Sequence, residues 1–239
     1  MSITSRLLSL SSKVIPNKPL EEIERQIAGV RDSVTGRMDE FRGDLRQGRA
    51  ELIASVLEHS AGIAGERWVV FHAAGGDVLG DIGKKVELLK QLDLVDDSDE
   101  RLSPIRRRIA AHELGNVRAV VGDAATFAAA EPYDAVLLPY ALSSAEDWFA
   151  AADNAAALLR PGGLLGVADF FAARGGDDPA GGRLAALLPK LMGDEAYVSA
   201  DFVPYLRRGG ELVSLDKQVA DIPYVPIGIP YFRYVGRKG

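Results

Sequence analysis

A chain of 239 residues suits one large α/β domain with a substantial buried core. Apolar residues make up 47 % and charged residues 26 %, and the formal net charge of −6 speaks against a general nucleic-acid binder, whose phosphate contacts need clustered Lys and Arg. The absence of cysteine rules out disulfides, thiolate metal sites and a cysteine nucleophile, and it agrees with a reducing cytoplasm, where the protein is expected.

Residues 1–60 read as a helical extension or lid ahead of a domain over 61–239, and the first 30 residues as a lid, an interface or a helix that touches a membrane surface. The early Leu7-Leu-Ser-Leu10 run is too short and too serine-rich for a signal peptide, and no window approaches the ~20 apolar residues of a membrane span. Pro16 and Pro19 break the first apolar segment, and Pro19 can start a helix through Leu20, Ile23 and Ile27. A longer amphipathic helix follows, with Met38, Phe41, Leu45, Leu52, Ile53, Val56 and Leu57 mostly on one face, ended by Gly62 and Gly65.

From residue 67 the period changes. Arg67–His72 reads as a strand, Ala73–Asp77 as a small-residue loop, and Val78–Leu89 as a helix. Leu92–Asp96 is the next strand, a charged helix runs from about Glu100 to Leu114, and Val117–Val121 is a third strand. Tyr133–Leu138, a helix over Glu146–Leu159, and Gly163–Asp169 continue the alternation. Strands alternating with helices of this length indicate βαβ units, and continuous apolar strands fit a parallel sheet covered on both faces. Two late strands, Glu211–Val219 and Ile229–Val235, are joined by a proline-containing segment.

Ligands of such sheets bind beyond the carboxyl ends of the strands. Asp96 ends the second strand about 20 residues after the first βα loop, the spacing at which a carboxylate meets a ribose hydroxyl. Asp97, Ser98 and Asp99 are better placed than Asp96 to cap the next helix. Asp123 can accept a hydrogen bond from an adenine amine, with Ala124 and Phe127 as an apolar bed, or can serve as a turn residue. His72, at a strand end, reads as a hydrogen-bonded structural residue, with a base as the alternative. With no second His or Cys near it in sequence, no metal is expected.

The stretch Gly122-Asp-Ala, Tyr133-Asp-Ala-Val and Leu158-Leu-Arg-Pro-Gly-Gly163 resembles the core of the S-adenosylmethionine (SAM)-dependent methyltransferases. A narrower resemblance is to the methyltransferase that completes betaine lipids by N-methylating a diacylglyceryl-homoserine headgroup. It rests on Met38-Asp-Glu-Phe-Arg42, Tyr140-Ala-Leu-Ser143 with Asp147-Trp148, Val167-Ala-Asp-Phe-Phe171, Val203-Pro-Tyr-Leu206 and Ile229-Pro-Tyr-Phe-Arg-Tyr-Val-Gly-Arg-Lys238.

The resemblance implies a Rossmann-like, seven-stranded, mostly parallel sheet with a reversed last hairpin, and SAM as cofactor at the sheet edge. By position, the cofactor contacts fall on Ala73, Ala74, Gly75, Gly76, Asp96, Asp123, Ala124 and Tyr140. Tyr140, Asp169 and Tyr197, with Tyr205, would line the pocket for an amine of a small molecule or a lipid headgroup. Where the family has Asp-Leu-Gly-Gly-Gly-Thr-Gly, this chain has Phe71-His-Ala-Ala-Gly-Gly-Asp77. The anchoring acid is missing, and Asp77 adds a negative charge where the SAM carboxylate would lie. Three readings stand: an N-methyltransferase, a methyltransferase-like protein that binds without turnover, and an enzyme that transfers the aminocarboxypropyl group of SAM.

Overall fold

The computed structural model describes residues 43–73, 77–171, 198–221 and 228–239. Seven strands form one sheet: β1 Arg67–Phe71, β2 Gln91–Asp96, β3 Val117–Val121, β4 Tyr133–Pro139, β5 Leu159–Phe170, β6 Gly210–Asp221 and β7 Gly228–Lys238. Their order is β3-β2-β1-β4-β5-β7-β6. All pairs from β3 through β5 are parallel, and β7 lies antiparallel between β5 and β6. This is the expected Rossmann-like architecture with a reversed last hairpin.

Among the described residues five helices pack on it: α1 over residues 43–59, α2 Val78–Ile82, α3 Asp99–Ala111, α4 Trp148–Leu158 and α5 Phe202–Leu206. Successive side chains of β1 serve opposite faces, as the pleat requires. Val69 and Phe71 join the core under α4 and α5, with Trp148, Ala151, Ala155, Phe202 and Leu206. Trp68 and Val70 join the core on the other face, with Leu52, Ile53 and Val56 of α1 and Val78, Leu79 and Ile82 of α2. A sheet buried on both sides explains the unbroken apolar runs of β1 and β4, whereas β2 carries the buried Asp93, paired with Arg118.

α1 runs against β5. A Cβ at Gly166 of β5 would stand 2.8 Å from Val56 Cγ2. At the far end Arg237, beside the start of β5, donates to the His59 carbonyl at 3.1 Å. The residue-48 end of α1 therefore lies at the carboxyl edge of the sheet, against Tyr140 and Tyr231.

Several element boundaries depart from the sequence reading, β5 starting at Leu159 and not at Gly163. The expected helix over 78–89 stops at Ile82, because Gly83 takes φ +62°, and residues Gly83–Leu88 continue as a 3-10 turn. α3 ends at Ala111, before Glu113 at φ +52°. Of the expected caps, Ser98 is the one used, its Oγ accepting the Arg101 N–H at 3.2 Å, while Asp99 sits in the first turn.

Candidate functional site

The chain leaves β1 towards β2 and β3 on one side, and leaves β4 towards β5 on the other, so the topological switch falls between β1 and β4. Beyond their carboxyl ends is the crevice where sheets of this kind hold ligands. The residues just past these two strands are His72 and Tyr140, and both adopt left-handed backbone, at φ +52° and +58°. Such a conformation costs a side-chain-bearing residue about 1–3 kcal/mol and persists only where the surroundings enforce it. Each also carries an orphaned polar atom: His72 Nδ1 and the Tyr140 hydroxyl are buried with no hydrogen-bond partner among the described residues. At His72 the expected hydrogen bond is absent at Nδ1.

Tyr140 is 8 % exposed, and its ring lies 5.2 Å from that of Phe170. Burial, then the negative charge of Asp169, push its hydroxyl well above the usual phenol range. Asp169 is fully buried at the end of β5. Its Oδ2 accepts the N–H groups of Leu142 at 2.8 Å and Ser143 at 3.0 Å, and its Oδ1 accepts that of Phe170 at 2.8 Å. With the Tyr140 N–H donating to Ala168 O at 2.6 Å, these bonds clamp the loop after β4 onto β5. Burial outweighs the hydrogen bonds and raises the Asp169 carboxyl to about 6. Its oxygens are engaged by backbone, so its geometry is that of a residue that positions Tyr140.

Asp96 closes β2 with its side chain buried. Its Oδ1 accepts the Ser98 N–H at 3.1 Å and Arg101 Nε at 2.9 Å. Asp123 forms a turn after β3: its Oδ1 accepts the Ala125 N–H at 2.8 Å, and its carbonyl accepts those of Thr126 and Phe127. Ala124 and Phe127 pack on the core, with Phe127 edge-on to Phe71 at 5.5 Å. Ala73 is fully buried. Ala74, Gly75, Gly76 and Tyr197 lie outside the described residues. Tyr205 packs against α4 and donates to Asp153 Oδ1 at 2.8 Å, so its hydroxyl is already engaged there.

Asp77 differs from its sequence reading as a bare negative charge. Its Oδ1 accepts the Gly80 N–H at 2.8 Å, capping α2, and is ion-paired with Arg108 of α3. A Cβ on Gly80 would collide with that carboxylate. Burial alone would raise the Asp77 carboxyl, but the bonds from Arg108 and Gly80 outweigh it and hold the group below the usual range. Between α2 and α3 lies a cleft of about 210 Å³ whose apolar lining includes Leu79, Leu94 and Ile105.

Four residues at this edge were not among those picked from the sequence: Gly48, Tyr231, Arg101 and Arg108. Tyr231 sits within the carboxyl-terminal Pro-Tyr pattern and carried a usable signal. The others become visible only through tertiary contact. Among the described residues no His, Cys, Asp and Glu group could hold a metal ion, and no helix is long and apolar enough to cross a membrane.

Residues 73–163 match the family model described as a methyltransferase domain. No curated protein matches the chain in sequence. Among solved structures, a Bacillus halodurans protein provisionally assigned as a methyltransferase superposes with TM-score 0.65 at 16 % identity, over 78 % of this chain and 98 % of that one. The N-methyltransferase NodS of Bradyrhizobium japonicum, in complex with S-adenosyl-L-homocysteine (SAH), superposes with TM-score 0.56 at 16 % identity, over 86 % and 98 %. The [4+2]-cyclase SpnF superposes with TM-score 0.60 at 17 % identity, over 79 % and 80 %. The chain has the class I methyltransferase fold.

Proposed function

We propose that this chain is a SAM-dependent methyltransferase that acts on an amine of a small molecule or a lipid headgroup. One observation carries the reading. At the switch point of the sheet, His72 and Tyr140 both hold left-handed backbone and both bury an unpartnered polar atom. An unsatisfied buried group costs about 1–3 kcal/mol, and a fold bears two such costs side by side where a ligand relieves them.

Bound SAM would supply an electrophilic methyl group on its sulfonium. The unpartnered Tyr140 hydroxyl and His72 Nδ1 are the observations that support a bound group at this edge. Asp96 at the end of β2 would meet the ribose hydroxyls, and Asp123, Ala124 and Phe127 after β3 would receive the adenine. Ala73, with Ala74, Gly75 and Gly76, would follow the methionine portion. Methyl transfer needs little acid–base help and is governed by orientation in a dry site. The Tyr140 hydroxyl would hydrogen-bond the acceptor amine and aim its lone pair, and Asp169 would fix the loop that carries Tyr140. Tyr197 is proposed for the same pocket. The resemblance to betaine-lipid methyltransferases favours a lipid-headgroup amine, which calls for peripheral membrane contact by a cytoplasmic protein.

A second reading, a ligand-binding protein without methyl transfer, is favoured by two facts: the altered loop at Phe71–Asp77, and the same fold in a [4+2]-cyclase. Isothermal titration with SAM and SAH separates them: the wild type should bind both, and binding of neither overturns the first reading. Product analysis then separates methyl transfer, which leaves SAH, from aminocarboxypropyl transfer, which leaves methylthioadenosine. Tyr140→Phe removes a hydroxyl with no partner in the free protein. It should keep or raise the melting temperature while lowering turnover at least tenfold, about 1.4 kcal/mol. Unchanged turnover would remove Tyr140 from the mechanism.

A further inference from the structure

Where the first βα loop meets α2, the chain carries a carboxylate at Asp77. On the reading above, the carboxylate of the methionine portion would come close by, and two unpaired carboxylates near each other repel. The structure contains an arrangement that deals with this. Asp77 lays its side chain over Gly80, where only a glycine leaves room, and meets Arg108 of α3. The partners are 31 residues apart in sequence, so the fold alone brings them together.

The magnitude of the contact says what it is for. The side chains of Asp77 and Arg108 are 49 % and 43 % exposed, and an ion pair so exposed contributes about 0–1 kcal/mol to stability. Asp77 does not need Arg108 to cap α2 either, since the Gly80 N–H supplies that bond. What Arg108 adds is charge: it cancels the Asp77 carboxylate and holds it against α2. A second arginine of the same helix, Arg101, pairs with Asp96 at 2.8 Å, so α3 meets carboxylates at the ends of both cofactor-side elements.

We propose that Arg108 is a positioning residue for the cofactor: acting through Asp77, it makes a loop carrying a carboxylate compatible with a ligand that carries one. This rests on the SAM-binding reading above. It predicts a dependence on the charge of the ligand that a merely structural contact would lack.

The test uses the full chain and two probes, SAH, which carries the amino-acid carboxylate, and methylthioadenosine, which lacks it. Arg108→Ala should weaken SAH five- to tenfold and leave methylthioadenosine within twofold. Adding Asp77→Asn, which keeps the cap oxygen without the charge, should bring SAH back to within twofold of wild type. Arg108→Lys should retain most of the affinity. NMR titration of the Asp77 carboxyl in the free protein should show its pKa rising in Arg108→Ala. Equal weakening of both probes, unchanged SAH affinity, or no rescue by Asp77→Asn would each overturn the inference while leaving SAM binding intact. If the wild type binds neither probe, the cofactor reading falls and this inference falls with it.

Discussion

Asp169 carries a pH dependence of definite sign. Its folded pKa, about 6, lies above its ordinary value of 3.8, so the native state favours the protonated form. The associated stability is fully present below about pH 4 and is lost as the pH rises through 6, a change of about 3 kcal/mol at 1.36 kcal/mol per unit. Asp169→Asn cannot titrate. Denaturant melts should therefore show the stability gap between wild type and Asp169→Asn shifting by about 2 kcal/mol against the wild type from pH 4 to pH 7. A gap independent of pH would show that the carboxyl is not raised. At this scale the sequence was partly legible. Tyr140 and Asp169 stand out because each follows an apolar strand. Arg108 did not, because a basic helix face reads as solvated until its partner across the fold is known.

Elements were easier to read, since burial on both faces leaves an apolar run in each central strand and the connecting helices have ordinary lengths. The failure at Val78–Leu89 has a local cause: apolar spacing continues through Gly83, but the backbone there turns to φ +62°. Gly83→Ala should cost about 1–3 kcal/mol in a chemical melt, because φ +62° with ψ −147° is backbone that residues with a Cβ almost never adopt. An unchanged midpoint would mean that the turn relaxes freely. The seat of α1 on β5 gives a second test. Gly166→Ala would place a Cβ 2.8 Å from Val56 Cγ2 and 3.4 Å from Leu52 Cδ1, an overpacking worth about 1–3 kcal/mol. Combining it with Val56→Ala should recover part of that loss. Strict additivity in the double-mutant cycle would place α1 elsewhere.

For the whole molecule, the question is what α1 belongs to. The change of period after Gly62 and Gly65 sets a boundary at residue 60 in the sequence, and an amphipathic helix ahead of it can serve as a lid or as part of the core. Pattern shows that a helix has an apolar face but not what covers that face. In the structure Leu52, Ile53 and Val56 are 0 % exposed and share one cluster with Trp68, Leu137 and Leu164 of the sheet. Burying three such side chains is worth about 1.5–3 kcal/mol each. Their sum is comparable with the entire stability of a typical domain, about 5–15 kcal/mol. A chain beginning at residue 61 would bare the matching surface of β1, β4 and β5. It should lose its cooperative thermal transition and associate on a sizing column, whereas loss of a mere lid would leave a monomer melting near the wild-type temperature. The paired substitution Leu52→Ala with Val56→Ala in the full chain guards against failure by truncation alone. It should lower stability by about 4 kcal/mol or more, and a loss under 1 kcal/mol would return α1 to the role of a detachable cover.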